Sequence, residues 1–141
     1  MKTIALLLLA IAPALAQPFS ARISLDIDAP EVWSAQFSTC LANKLRTVPG
    51  VIVTSQRTDV YVSVILQEVR DRGQLLGFAL SALTTRVGAV PAHSLAQGSD
   101  LTGLCRGVAA DIQEHAVEPL REAWQARQDL TPDAFLATHH Q

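Results

Sequence analysis

The chain has 141 residues and carries 11 basic against 13 acidic side chains, a formal charge of −2 with the signs interspersed. That balance excludes the basic face a nucleic acid wants and the polybasic patch that holds a protein on an anionic membrane surface. The length fits one domain, and 49% apolar residues is enough to fill a core, which speaks against disorder.

Met1-Lys2-Thr3, the apolar run Ile4 to Ile11 and the small-x-small end Ala14-Leu15-Ala16 follow the order of a secretory signal peptide, with cleavage expected after Ala16. A membrane anchor is the alternative, but the run is broken by Pro13 and falls short of the about 20 apolar residues a spanning helix needs. Gln17 stands at the cleavage point, where bacterial lipid attachment uses a cysteine. The expected mature product is residues 17–141, a single domain in the periplasm or outside the cell, with no integral membrane segment.

Phe19 to Asp28 alternates, with Ala21, Ile23, Leu25 and Ile27 on one face and Ser20, Arg22, Ser24, Asp26 and Asp28 on the other, which predicts a half-exposed strand near a sheet edge. Asp28-Ala29-Pro30-Glu31 then sets an acidic residue ahead of a first-turn proline and a Glu three positions on, a combination able to satisfy the free amides of a helix start. Trp33, Phe37, Cys40, Leu41 and Leu45 form the apolar stripe of that helix, which stops before Pro49-Gly50. Val51 to Ser55 is a short β-branched run and reads as a second strand.

From Thr58 the pattern becomes a hairpin. Val60, Val62, Val64 and Leu66 share one face, and Tyr61, Ser63, Ile65 and Gln67 the other. After the turn Arg70-Asp71-Arg72-Gly73, Leu76, Phe78, Leu80 and Ala82 repeat the first face. Arg86 to Ser99 holds Gly88, Pro91 and Gly98 without periodicity and reads as a surface loop. A long helix is predicted from Ser99-Asp100, with Leu101, Leu104, Cys105, Val108, Ile112 and Ala116 on one face. Pro119 interrupts it, so Leu120 and Trp124 belong to a kinked or separate short helix. The tail from Leu130 has one weak helical signal, Thr131-Pro132-Asp133.

Strand, helix, three strands, helix is the order of an α+β two-layer sandwich: a sheet of about four strands built on the central hairpin, with two main helices on one face. That order, together with the phrase Thr-Asp-Val-Tyr-Val-Ser-Val at Thr58 to Val64, loosely resembles the small periplasmic domains at the amino terminus of the translocation protein TolB and in outer-membrane secretion accessories of the CsgG and PelC kind. The resemblance implies an assembly or accessory role in the cell envelope. Several of those accessories are lipid-anchored, and this chain lacks the cysteine for it.

Cys40 and Cys105 are the only cysteines, and each lies on the apolar stripe of a predicted helix. In an exported chain that placement predicts one disulfide between them, with two buried thiols or pairing between chains as alternatives. Asp111, His115, Glu118 and Glu122 follow i, i+4, i+7 and i+11, a spacing a metal site could use, although a solvated acidic edge explains it as well. His93 stands alone, and His139-His140 at the end fixes no geometry. Nucleophile elbow, phosphate loop, dinucleotide fingerprint and paired-histidine metalloprotease patterns do not occur, and no catalytic residue, metal or cofactor is assigned.

The second face of the strand after the turn, Leu75, Gly77, Ala79, Ser81 and Leu83, is small and apolar where a solvated sheet face should be polar. Another copy, a cell-envelope protein, the Arg86 to Ser99 loop or the C-terminal segment could cover it. The leading expectation is an exported, non-enzymatic binding or assembly module acting through this face. The alternatives are a small hydrolase or metal-dependent enzyme on the acidic helix edge, and a small-ligand carrier.

Overall fold

The computed structural model describes residues 17–129. The expected leader, Thr131-Pro132-Asp133 and His139-His140 lie outside the described residues.

The chain runs β1 (Ala21–Asp28), α1 (Glu31–Arg46), β2 (Val51–Val53), β3 (Val60–Asp71), β4 (Gln74–Arg86), β5 (Ala92–Gly98), α2 (Leu101–Ile112), a π-helical turn (Gln113–Val117) and α3 (Glu118–Asp129). The α+β class stands, but the sheet has five strands in the order β2-β1-β3-β4-β5 rather than about four. β1 runs parallel to both β2 and β3, and the β3–β4–β5 part is antiparallel.

The alternation in β3 decides which face is the core. Val60, Val62, Val64 and Leu66 are buried, and Phe78, Leu80 and Ala82 of β4 and Ile23 of β1 lie with them. Phe37, Leu41 and Leu45 of α1 and Leu104, Val108, Ile112 and Ala116 of the second helical stretch close the same cluster from above. Apolar burial of this kind contributes about 25 cal/mol per Å². Cys40 and Cys105 join the two helices through a disulfide with Cα atoms 6.3 Å apart, inside the roughly 7 Å limit for such a bridge.

Three expectations need correction. Arg86 to Ser99 is not only a loop: after a turn through Gly88 (φ +75°) it enters β5, which pairs with β4 from Thr84↔Ala92 to Phe78↔Gly98. β5 gains its place from backbone pairing at the sheet margin, so its side chains show little apolar pattern. Asp28 does not cap α1; it ends β1, and the amides of Trp33 and Ser34 donate to the Pro30 carbonyl at 2.8 and 3.0 Å with no side-chain cap. Leu75 and Leu76 also exchange roles. The β3–β4 register shifts between Val69 and Arg70, so that Gly77 faces Val69 but Leu75 faces Arg70. The extra residue turns Leu76 outward, 55% exposed, and packs Leu75 against the core.

The start of α2 follows the sequence reading. Asp100 accepts from the amides of Thr102 and Gly103 at 3.2 and 3.0 Å, which satisfies two of the free donors of the first turn. The expected break at Pro119 takes the form of the π-helical turn just ahead of it, beyond which α3 begins anew. Proline has no N–H to offer the preceding turn, and a wider turn accommodates that loss. α3 reaches the segments that lead into β1 and β2. Trp124 meets Phe19 edge to face at 6.1 Å, and the Arg121 guanidinium lies 4.9 Å over the Phe19 ring while donating to the Pro49 carbonyl at 2.8 Å. Gly50 (φ +80°) is required beside them, because a Cβ there would stand 2.6 Å from Phe19 Cδ1.

At the opposite end, Arg72 (φ +48°) and Gly73 (φ +84°) make the two-residue hairpin turn. Trp33 Nε1 donates to Glu68 at 2.6 Å, and its ring meets Phe78 edge to face at 5.2 Å, so the first turn of α1 fastens the hairpin stem.

Three carboxyls are held below their ordinary range. Glu68 accepts from Arg70 and Trp33, and Glu118 from Arg121 and Gln113. At Asp59 burial pushes upward, but hydrogen bonds and charge from Arg22 outweigh it. Each binds its proton less readily in the folded chain than in the unfolded one, so each contributes stability above the ordinary carboxylate pKa of about 4 that is lost as pH falls through the folded value. The melting temperature should therefore be flat from neutral pH to about pH 5 and decline below it, by a modest amount per pair because each pair is partly open to solvent, which screens it. A melting temperature unchanged at pH 3 would contradict this.

Candidate interaction face

The face of the sheet turned away from the helices is built by cross-strand rows. Leu83 stands between Ser63 on β3 and His93 on β5, Ser81 between Ile65 and Leu95, and Ala79 between Gln67 and Gln97. Because β4 supplies only small side chains at the two central rows, it forms the floor of a shallow trough flanked by larger residues. A hollow of about 280 Å³ lies there, lined by Ile65, Gln67, Ala79, Leu80, Ser81 and Leu95. Leu95 is 74% exposed, Ile65 44% and Leu83 42%.

Of the five residues singled out from the sequence, Ala79, Ser81 and Leu83 lie on this outer face. Leu75 does not, for the register reason given above. Gly77 is buried, because the Gly98 backbone comes so close that a Cβ at Gly77 would stand 2.7 Å from the Gly98 carbonyl oxygen. Sequence reasoning missed Leu95, since β5 was not recognised, and passed over Ile65 and Tyr61, although the alternation in β3 already assigned both to this face.

The face divides laterally. β1 brings Asp26 and Asp28, both exposed, beside Ser63 and Ile65 of β3. Tyr61 donates its hydroxyl to Asp26 at 2.8 Å, and that hydrogen bond, with lesser contributions from desolvation and charge, raises the phenol above its usual pKa. The Ile65–Ser81–Leu95 and Gln67–Ala79–Gln97 rows carry no charge. Ser81 Oγ and His93 Nε2 satisfy each other at 2.9 Å. The exposed area of these rows is thus apolar and uncharged, with the carboxylates of Asp26 and Asp28 along one side.

The structure does not bring the four residues of the acidic helix edge to one place. The π-helical turn breaks the i, i+4 register, Glu118 is engaged by Arg121 and Gln113, and Glu122 is exposed. Asp111 and His115 instead border a separate cavity of about 180 Å³ with Thr84, Ala92, His93 and Ser94. His115 Nδ1 lies 3.0 Å from the Asp111 carbonyl and donates to it. Among the described residues no three His, Cys, Asp or Glu side chains gather as a metal site, and no helix is long and apolar enough to cross a membrane.

No family model and no curated protein matches the sequence. Among solved structures, TolB from Acinetobacter baumannii is similar over 72% of this chain and 30% of its own, at 11% identity and a TM-score of 0.54. A dodecamer of a PelC point variant from Paraburkholderia phytofirmans is similar over 70% of this chain and 88% of its own, at 17% identity and a TM-score of 0.44. The rare lipoprotein B from Shewanella oneidensis is similar over 75% and 94%, at 11% identity and a TM-score of 0.30. TolB and PelC, both named in the resemblance drawn from the element order, stand among the structural neighbours, and the likeness to TolB shows a shared fold.

Proposed function

We propose that this protein is an exported, non-enzymatic assembly module of the cell envelope that works by packing the outer face of its sheet against another envelope protein. The observation that carries the reading is the uncharged apolar area of Ile65, Ala79, Leu83 and Leu95, left open to solvent among the described residues while the core lies wholly on the other face. Contiguous apolar surface of that kind marks interaction sites. The disulfide supports an oxidising compartment, and the signal-like leader supports export. The partner surface that fits is apolar in the middle, with basic side chains along one margin to meet Asp26 and Asp28.

Ala79→Arg tests it. Ala79 lies in the floor of the trough, so a guanidinium there prevents close approach, and a charge left unpaired in an interface costs several kcal/mol. Wild-type and Ala79→Arg proteins are each used to capture partners from the envelope fraction after mild cross-linking, with quantitative mass spectrometry. The expected result is a stoichiometric partner for the wild type and at least about tenfold less of it for Ala79→Arg, each 1.4 kcal/mol lost being a factor of ten, with the circular dichroism and melting temperature of the two proteins alike. Equal capture by both, or an Ala79→Arg protein that fails to fold, defeats the proposal, the second because the chain itself then covers the face.

A further inference from the structure

The two margins of the sheet are not alike. β2 ends it on one side with only three residues, a length that offers little to an incoming strand. β5 ends it on the other with seven, Ala92 to Gly98, and among the described residues no strand lies beyond it. In an antiparallel ladder every second residue of an edge strand turns its N–H and C=O away from the partner, so β5 presents a row of unpaired backbone donors and acceptors. Natural edges are blunted by charged side chains, prolines, bulges or shortness. Ala-His-Ser-Leu-Ala-Gln-Gly contains no Asp, Glu, Lys, Arg or Pro, and its register against β4 runs unbroken over seven pairs.

We propose that β5 is an edge for strand addition and that the strand it takes is β5 of a second copy of this chain, running antiparallel across a twofold axis. The occupant follows from the sequence of the strand. Leu95 is its midpoint, so a full-length twofold pairing sets Leu95 across from its counterpart, His93 across from Gln97, and Ser94 across from Ala96. Any lysine, arginine or carboxylate at the centre of a self-pairing strand would meet its own like, which is destabilising, and none is present. Leu95, 74% exposed in the single chain, covers part of that exposure against its counterpart. Its side chain is on the outer face, so the two faces join across one ten-stranded sheet, within the range that open sheets reach. This inference rests on the edge and stands apart from the partner proposed for the face.

Light scattering on the mature, secreted protein reads the outcome. The wild type is expected to be a dimer. Leu95→Lys is expected to weaken dimerisation at least about tenfold, by setting two ammonium groups opposite each other, while leaving the circular dichroism of a folded chain, because the side chain is exposed in the single chain; the melting temperature falls only by what the dimer contributed. Leu95→Glu is expected to do the same alone, and an equal mixture of Leu95→Lys and Leu95→Glu is expected to restore the dimer as a mixed pair, a rescue that a merely unfolded variant does not give. A monomeric wild type, or a dimer that survives both single substitutions, overturns the proposal. So does a dimer lost in Ala79→Arg but kept in Leu95→Lys, which moves the contact to the face, and so does a dimer that forms only after removal of residues 130–141, which gives the edge to the chain's own tail.

Discussion

Replacing both bridged cysteines, Cys40→Ala with Cys105→Ala, is expected to destabilise the protein by about 4 kcal/mol and to lower its melting temperature by more than about 10 °C. The bridge spans 65 residues of sequence from α1 to α2 and so encloses β2, β3, β4 and β5. In the chain-entropy model a closed loop of that length removes much of the freedom of the unfolded chain, and cutting it returns that freedom to the denatured state. Urea unfolding separates this from a simple packing loss. A denatured state released from a cross-link exposes more surface, so the dependence on denaturant should steepen as well as the midpoint falling. Cys105 is fully buried, so the missing sulfur adds a small cavity cost on top. A midpoint within a few degrees of the wild type, with an unchanged slope, would mean that packing between α1 and α2 already holds the fold and that the bridge adds little.

The same two helices show where the sequence was readable. Trp33, Phe37, Leu41 and Leu45, and Leu101, Leu104, Val108 and Ile112, recur at helical spacing because one face of each helix is buried against one sheet, and burial is what periodicity records. β3 was readable for the corresponding reason, with a two-residue period. β5 was not, since an edge strand exposed on its outer face is held by backbone pairing that leaves no side-chain signature, and Gly88 and Pro91 before it look like loop. The exchange of Leu75 and Leu76 was hidden for a different reason. A one-residue shift in the ladder depends on how β3 and β4 meet at Val69 and Arg70, a relation between two strands that neither strand's own pattern contains. Of the candidate face, the β4 part was legible from its small residues. The β5 part, and with it Leu95, was lost with the strand.

Val64→Lys and Ile65→Lys, neighbours in β3, should differ as much as any two adjacent substitutions in the chain. Val64 is fully buried and Ile65 is 44% exposed, because consecutive strand residues face opposite sides of the sheet. A lysine at position 64 brings an ammonium group into an apolar cluster with no partner carboxylate. Burying such a charge costs several kcal/mol even after neutralisation, a large share of the roughly 5–15 kcal/mol that holds a domain together, so Val64→Lys should fail to fold or should melt far below the wild type. At position 65 the new ammonium sits on the outer face in register with Asp28 of β1, where an opposite charge is mildly favourable, so the melting temperature should stay within a few degrees. Thermal unfolding of the two variants side by side reads both expectations. An Ile65→Lys protein as unstable as Val64→Lys would mean that the outer face is as buried as the inner one, and that the surface formed by Ile65, Ala79, Leu83 and Leu95 is part of a core rather than a place for another protein to dock.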